Sequence, residues 1–293
     1  MTIYRQLIDV ADLQDLIAAA DCPKVDSRVV DCRIIDCRFD LLKPEKGRAE
    51  YLAGHIPGAV FADLDRDLAG PVTVSSWRHP LPDPGVFKAT LEGFGIGENT
   101  QVVVYDYASG ALAARLWWML RWFGHSPVAV LNGGLKAWLA GNGPLQTEVP
   151  DYPATELSAS ADAGRVATTA EISATISEGR DLTLVDARDR PRFDGQTEPI
   201  DSVAGHIPGA LNFPFSDNIN TEGKWKSADE LRLQWAALLA SDAAPPFVVM
   251  CGSGVTACHL VLSAEIAGLD EPRVYVGSWS EWIRDASRPV AAA

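Results

Sequence analysis

The heptapeptide Ala-Gly-His-Ile-Pro-Gly-Ala occurs at residues 53–59 and again at residues 204–210, an offset of 151 residues. A second feature recurs near this offset, because an apolar run ends in Asp-x-Arg at Asp36 and again at Asp186. Repetition at about one domain length indicates two copies of one domain. The predicted segments are an N-terminal domain at 1–142, a linker at 143–165 and a C-terminal domain at 166–293.

Each copy alternates short β-branched runs with amphipathic helical patterns, which predicts α/β domains with mainly parallel sheets flanked by helices. The predicted strands are Arg33–Asp36, Val102–Tyr105, Val128–Leu131, Leu182–Asp186, Phe247–Met250 and Arg273–Val276. The predicted helices are Asp12–Ala20, Pro84–Gly93, Ala111–Phe123, Thr169–Glu178, Asp229–Ala240 and Val255–Ala267. In the repeated heptapeptide, the glycines and proline indicate a turn, and His55 and His206 are expected to bind main-chain groups.

Composition narrows the classes of function. Of the 293 residues, 47% are apolar, and the net charge is −14. Nucleic acids and anionic membranes bind basic surfaces, so neither is an expected partner. The five cysteines form no Cys-x-x-Cys pair, and the histidines are scattered, so neither a metal site nor a cofactor is expected. No apolar run approaches about 18 residues. We expect a soluble protein in the reducing cytoplasm.

The segment Cys-Gly-Ser-Gly-Val-Thr-Ala, residues 251–257, lies between a predicted strand and a predicted helix. In parallel sheets the ligand site lies at the carboxyl ends of the strands. Glycines let main-chain amides turn towards the Cys251 sulfur, and a helix N-terminus also favours negative charge there. This pattern indicates thiolate chemistry. The alternative is a small buried cysteine at the end of a core strand.

Taken together, these motifs resemble those of the tandem rhodanese family, from about Ile8 to Asp285. The Gly-x-x-x-x-Trp endings at 133–138 and 277–282 are also similar to the family pattern. The cysteine loop resembles that of the 3-mercaptopyruvate sulfurtransferase branch. The thiosulfate branch usually has basic residues where this chain has Gly252 and Ser253. The position in the first copy that matches Cys251 is Asp106, so the resemblance implies an inactive N-terminal domain and a catalytic C-terminal domain.

The resemblance implies a two-step sulfur relay without metal or cofactor. Cys251 attacks the sulfane sulfur of a small anionic donor, and the resulting persulfide passes its outer sulfur to a thiol, thioredoxin or, in assays, cyanide. The main-chain amides of the loop are expected to stabilise both sulfur anions. The loop residues predicted to bind substrate in this way are Gly252, Gly254, Val255 and Thr256.

An anionic donor needs a cation. Arg192 occupies the family's substrate-arginine position, and a guanidinium can hold a carboxylate through two hydrogen bonds. Arg188 is either a second substrate contact or an ion pair at the strand end. In mercaptopyruvate enzymes a further arginine usually follows Thr-Glu-Pro, but here residues 200–202 are Ile-Asp-Ser. Thiosulfate therefore remains an alternative donor.

The family resemblance also suggests a proton relay. Ser253 is expected to join His79 and Asp65 in a Ser-His-Asp set near the leaving group. The alternative is that Ser253 only supports the loop. Of the other cysteines, Cys258 is expected to be a core residue. Cys22, Cys32 and Cys37 are expected to be packing residues or spare thiols.

Two other classes of function remain to be weighed. A cysteine phosphatase needs Cys-x5-Arg, but the sixth residue after Cys251 is Ala257, which argues against it. A non-enzymatic binding module with a rhodanese-like fold would need no cysteine loop, and the intact loop at Cys251 argues against that class.

Overall fold

The computed structural model describes residues 2–20, 31–240 and 246–292. The chain forms two compact units, each of which gathers separate segments. The first unit comprises Met1–Gly70, Pro82–Ala161 and Thr221–Lys224. The second comprises Pro71–Leu81, Asp162–Asn220 and Trp225–Ala293.

These units differ from the predicted boundaries in three places, one of which is that residues 221–224 belong to the first unit. Residues 143–161, within the predicted linker, belong to the first unit. There Pro144 accepts a hydrogen bond from the Trp138 indole at 2.8 Å, and the Tyr152 ring lies 4.0 Å from the Arg33 guanidinium. Residues 71–81, which the sequence places in the N-terminal domain, belong to the second unit. His79 therefore belongs to the second unit.

A parallel five-stranded sheet forms the first unit's core, in the order β1-β5-β4-β2-β3. Every residue of the central strand β4 is buried, which explains its continuous apolar run. The strands are β1 (Leu7–Ile8), β2 (Cys32–Asp36), β3 (Ala59–Phe61), β4 (Gln101–Tyr105) and β5 (Val128–Leu131). The helices are α1 (Val10–Ala20), α2 (Glu45–Ala53), α3 (Pro84–Gly93), α4 (Ala113–Trp122) and α5 (Gly134–Ala140).

The second unit repeats this topology, with a parallel sheet in the order β6-β10-β9-β7-β8. The strands are β6 (Val166–Ala167), β7 (Leu184–Asp186), β8 (Leu211–Asn212), β9 (Val248–Met250) and β10 (Arg273–Tyr275). The helices are α6 (Thr169–Ser177), α7 (Arg190–Phe193), α8 (Ala228–Leu239), α9 (Ala257–Ile266) and α10 (Ser278–Trp282). Short 3-10 helices lie at Ala163–Arg165 and Phe215–Asn218. The predicted α/β class, with two helix-flanked parallel sheets, is confirmed.

In each unit, an arginine binds both the aspartate at the end of a strand and a carbonyl group of the repeated heptapeptide. Arg38 makes a two-pronged ion pair with Asp36 and donates to the Gly54 carbonyl at 2.9 Å. Arg188 does the same with Asp186 and donates to the Gly205 carbonyl at 2.7 Å. The shared geometry explains why Asp-x-Arg and the heptapeptide recur together.

Both histidines of the heptapeptide bind main-chain groups, as predicted. His55 Nδ1 lies 2.8 Å from the Tyr51 carbonyl oxygen, and His206 Nδ1 lies 2.8 Å from that of Phe193. Each imidazole also stacks on the ring of the same partner, with centroids 4.0 and 3.8 Å apart.

Candidate active site

Cys251 lies directly after β9, the central strand of the second sheet, and before α9. Its side chain is 2% exposed. The Cys251 amide donates to Ser278 Oγ at 3.1 Å, and its carbonyl accepts from the Trp279 amide at 3.0 Å. These contacts hold the loop main chain against α10, so the position of the cysteine depends on the strand end and on a second element.

One loop amide contacts the sulfur. The Gly254 N–H donates to Cys251 Sγ at 3.2 Å. Gly254 has φ +81°, and a Cβ there would lie 2.4 Å from the Val276 carbonyl oxygen, so only glycine fits. Within the described residues, Gly254 is the one main-chain donor to this sulfur.

The remaining loop residues begin helix α9. The Val255 carbonyl accepts from the Cys258 amide at 3.1 Å, and the Thr256 carbonyl accepts from the His259 amide at 3.2 Å. The helix therefore starts immediately after the loop, with its N-terminal end towards the cysteine. The partial positive charge of a helix N-terminus favours an anion at such a position.

Ser253 and His79 form a close pair. Ser253 Oγ lies 2.7 Å from His79 Nδ1, and both side chains are buried. The Trp77 indole donates to the His79 carbonyl at 3.2 Å. Asp65, the third predicted member of the relay, belongs to the first unit, so its participation stays a prediction.

Arg188 forms a buried ion pair. Its side chain is 1% exposed, it pairs with Asp186, and its guanidinium lies 4.6 Å from the centre of the Trp279 ring. A third contact reaches Glu198 at 3.5 Å. Of the two roles that the sequence left open for Arg188, this geometry corresponds to the ion pair. The substrate-contact role of Arg188 stays a prediction.

Arg192 lies in α7 and is held by two carboxylates. Its Nε donates to both Glu198 oxygens at 3.0 and 3.1 Å, and its Nη2 donates to Asp201 Oδ2 at 3.1 Å. Burial opposes ionisation of Glu198, but the Arg192 guanidinium and the amides of Asp201 and Ile200 together lower its pKa. The guanidinium is thus oriented by fixed charges before any ligand binds.

Arg78 is a residue of this site that the sequence analysis did not identify. It precedes His79, and its Nη1 donates to Asp201 Oδ1 at 2.6 Å. Its adjacency to a candidate relay histidine was the available signal. The contact joins residues 123 positions apart in the chain, and no local spacing predicts such a contact.

The other described cysteines are structural. Cys258 Sγ donates to the Gly254 carbonyl at 3.3 Å and so supports the nucleophile loop. Burial raises the pKa of Cys32 to about 12 and that of Cys37 well above its ordinary value, so both remain protonated thiols. Cys22 lies outside the described residues.

Across residues 2–20, 31–240 and 246–292, no group of three or more His, Cys, Asp or Glu side chains has an arrangement that could hold a metal ion. The helices of these residues include none that combines the length and apolar character of a membrane span.

Comparison with known proteins places this geometry in a family. The Rhodanese-like domain family matches the chain twice, at residues 12–141 and 168–285. A Pseudomonas aeruginosa protein named "Probable 3-mercaptopyruvate sulfurtransferase" is 44% identical over 255 residues, which cover 86% of this chain and 89% of that protein.

Two further relatives indicate the same family. The bovine protein named "Thiosulfate sulfurtransferase" is 36% identical over 249 residues, covering 82% of this chain and 81% of that protein. The crystal structure of SseA from Escherichia coli, described among 3-mercaptopyruvate sulfotransferases, is 31% identical, with a TM-score of 0.78 over 96% of this chain and 100% of that one. The chain therefore belongs to the rhodanese and 3-mercaptopyruvate sulfurtransferase family, as an enzyme built from two rhodanese-like domains in tandem.

Proposed function

We propose that the enzyme moves a sulfane sulfur from 3-mercaptopyruvate, through a persulfide on Cys251, to a thiophilic acceptor such as a thiol, thioredoxin or cyanide. The observation that carries the proposal is the Gly254 amide on Cys251 Sγ at the start of α9. An amide and a helix N-terminus stabilise negative charge on sulfur in both half-reactions. The name of the Pseudomonas aeruginosa relative supports the donor.

In the first half-reaction the Cys251 thiolate attacks the donor sulfur and forms the S–S bond. The carbon–sulfur bond of the donor breaks, and its electron pair remains on carbon as the enolate of pyruvate. A proton completes pyruvate. The Ser253–His79 pair is suited to deliver that proton, because the serine hydroxyl and the imidazole already share a hydrogen bond of 2.7 Å. Asp65 is proposed as the group that orients His79.

In the second half-reaction the acceptor thiolate attacks the outer sulfur of the persulfide. The S–S bond breaks, its electron pair returns to Cys251, and the starting thiolate is regenerated. The amides of Gly252, Val255 and Thr256 are proposed to stabilise the outer sulfur, which lies one bond farther from Cys251 than the sulfur that Gly254 binds. We propose a cytoplasmic setting, where thiols stay reduced.

Thiosulfate is the second candidate donor. The bovine relative bears that activity in its name, and the chain has no arginine directly after Pro199. Against it, the residues that follow Cys251 are Gly252 and Ser253, neither of which is basic. The departure of sulfite needs no proton, whereas the departure of the pyruvate enolate does. A proton relay beside the cysteine therefore favours 3-mercaptopyruvate.

The test is a side-by-side steady-state assay with both donors and one acceptor. We expect a higher kcat/KM with 3-mercaptopyruvate, and no transfer from either donor in Cys251→Ser. Ser253→Ala should lower kcat with 3-mercaptopyruvate about 10- to 100-fold and leave kcat with thiosulfate within about threefold. A clear preference of the wild-type enzyme for thiosulfate would overturn the donor assignment.

A further inference from the structure

The first residue of α10, Ser278, has a left-handed backbone conformation, with φ +53°. Such a conformation is unfavourable for any residue that carries a Cβ. Of the described residues other than glycine, Asn142 and Ala240 also have positive φ, but both are exposed and lie just beyond the ends of helices. Ser278 begins a helix and is fully buried, so neither solvent nor a helix end explains its conformation. Strain of this kind persists where a function requires it.

The Ser278 hydroxyl connects the end of a strand to the nucleophile. Its Oγ donates to the Tyr275 carbonyl at 2.8 Å and accepts from the Cys251 N–H at 3.1 Å. Tyr275 is the last residue of β10, and Cys251 follows β9. A hydroxyl carries one proton, and here that proton goes to the carbonyl, so a lone pair faces the Cys251 amide. Ser278 therefore acts on the main chain of the nucleophile and not on its sulfur.

The two residues after Ser278 hold the same stretch of main chain. The Trp279 amide donates to the Cys251 carbonyl at 3.0 Å, and the Ser280 amide donates to the Gly252 carbonyl at 2.9 Å. The N–H and the C=O of Cys251 are thus both bound by the start of α10. Because misplacement of a nucleophile by about 1 Å can cost about 10²-fold in rate, this anchoring bears on catalysis.

The first unit has glycine at the corresponding position. Gly134 begins α5 with φ +56°, and the amide of the next residue, Leu135, donates to the Asp106 carbonyl at 2.9 Å. A Cβ on Gly134 would lie 2.6 Å from the Asp106 carbonyl oxygen, so that loop excludes a side chain. The backbone conformation is shared by both units. The hydroxyl, and the strain that accompanies a Cβ, belong to the unit that contains Cys251.

We propose that Ser278 is a positioning residue for sulfur transfer. Its hydroxyl fixes the Cys251 main chain, so that Sγ stays at the Gly254 amide and at the start of α9. The second unit keeps a serine in a left-handed conformation for this purpose, where glycine would be less strained. The inference rests on the proposed function, and it predicts that loss of the hydroxyl lowers the rate of the chemical step without weakening donor binding.

The experiment compares Ser278→Gly with Ser278→Ala. Both variants lose the hydroxyl, but only Ser278→Ala keeps a Cβ in the left-handed conformation. With 3-mercaptopyruvate, kcat should fall about 10-fold in both, while KM stays within about threefold. The urea midpoint should be lower for Ser278→Ala than for Ser278→Gly. Activity would then follow the hydroxyl, and stability would follow the Cβ. Unchanged kcat in both variants, or a kcat loss that follows the urea midpoints, would overturn the proposal.

Ser263→Ala is the matched control. Ser263 is a fully buried serine of α9 in the same unit, and its hydroxyl also makes two hydrogen bonds. It accepts from the Trp235 indole at 3.0 Å and donates to Asn218 Oδ1 at 2.7 Å. Ser263→Ala should lower the urea midpoint and leave kcat within about twofold. A kcat loss equal to that of the Ser278 variants would assign the effect to the loss of any buried hydroxyl and would overturn the proposal.

Hydrogen exchange separates this inference from the proposed function, because it needs no sulfur donor. Without the Ser278 oxygen, the Cys251 amide should exchange at least about 10-fold faster in Ser278→Gly than in the wild type or Ser263→Ala, as measured by NMR. Amides of β4 in the first unit should keep their rates. If the wild-type enzyme transferred no sulfur, the proposed function would fail, yet the exchange rate would still test the contact. Equal exchange of the Cys251 amide in all three proteins would overturn the role of Ser278.

Discussion

The loops that follow the two central strands place different side chains, Asp106 and Cys251, where main-chain amides donate to them. After β4, the Asp106 carboxylate accepts four main-chain hydrogen bonds, from Ala108 and Gly110 at 3.1 and 3.0 Å and from Leu112 and Ala113 at 2.9 and 3.3 Å. After β9, Cys251 Sγ accepts one, from Gly254 at 3.2 Å. Both loops lead directly into a helix.

The two loops differ in the number of main-chain amides that donate to the side chain. Burial raises the pKa of Asp106, although hydrogen bonds from four main-chain amides act to lower it. Cys251 Sγ accepts from one loop amide, and we proposed that this sulfur carries a second sulfur. We infer that the first unit keeps the loop as a structural element and that the second uses it for catalysis.

Removal of the Cys251 sulfur should produce the largest effect on activity. Cys251→Ala should lower sulfur transfer by at least about 10⁴-fold, because the proposed persulfide forms on this sulfur. The free energy of unfolding should fall by less than about 2 kcal/mol, since one small side chain is lost. Assays and urea unfolding measure the two quantities. Cys32→Ala, in the first unit, is the control, and equal loss of transfer in that variant would contradict the comparison.

The same experiment on Asp106 should give the opposite pattern. Asp106→Ala leaves four main-chain donors, two buried and two half-buried, without their acceptor, so the free energy of unfolding should fall by about 4 kcal/mol. Urea unfolding checks this loss. In preparations that remain folded, kcat should change less than threefold. A stability unchanged from the wild-type value would show that the amides do not depend on the carboxylate.

Substitution of Gly254 tests whether the close approach of the loop to Val276 affects stability in addition to the positive φ. Gly254→Ala should lower the free energy of unfolding by about 3 kcal/mol, because positive φ and the Val276 carbonyl both oppose a side chain. Gly268→Ala is matched, since its φ is +77° and a Cβ there meets nothing within 4 Å. It should cost about 1 kcal/mol. Thermal or urea unfolding that gave equal losses would remove the role of the close contact.

Substitution of Glu198 should have the smallest effect of this series, and its effect on the free energy of unfolding should depend on pH. Its folded-state pKa lies below the ordinary value of 4.5, so its stabilising contribution is present above pH 4.5 and is lost as the pH falls through the lowered pKa. Glu198→Gln should therefore lower the free energy of unfolding by about 2 kcal/mol at pH 7. The difference in the free energy of unfolding between Glu198→Gln and the wild type should become smaller below pH 4.5. Urea unfolding at several pH values checks this, and a gap independent of pH would contradict it.

Several features were predictable from local pattern. β-Branched runs and helical periodicity predicted the inner strands and the longer helices, and the glycines after Cys251 predicted a loop amide near the sulfur. The edge strands β6 and β8 have two residues each, too few to show periodicity. The composition of residues 143–161 suggested a linker, but its aromatic and main-chain contacts place it in the first unit.

The site was predictable only where its residues lie close together in the chain. Cys251 and the loop amides belong to one segment, and Arg192 lies on a recognisable short motif. Arg78 contacts Asp201 across 123 positions, and that pairing depends on where residues 71–81 pack. The ion pair of Arg188 with Asp186 was one of two roles that the sequence allowed, and the structure shows that pair buried.

The central claim is that the Cys251 sulfur carries a second sulfur. Intact-mass spectrometry of the wild-type enzyme, Cys251→Ala and Asp106→Ala after exposure to 3-mercaptopyruvate tests it most directly. The account predicts a gain of one sulfur atom in the wild type and Asp106→Ala, lost on addition of cyanide, and no gain in Cys251→Ala. A cyanide-sensitive gain in Cys251→Ala, or its absence from a wild-type enzyme that turns over, would contradict the account.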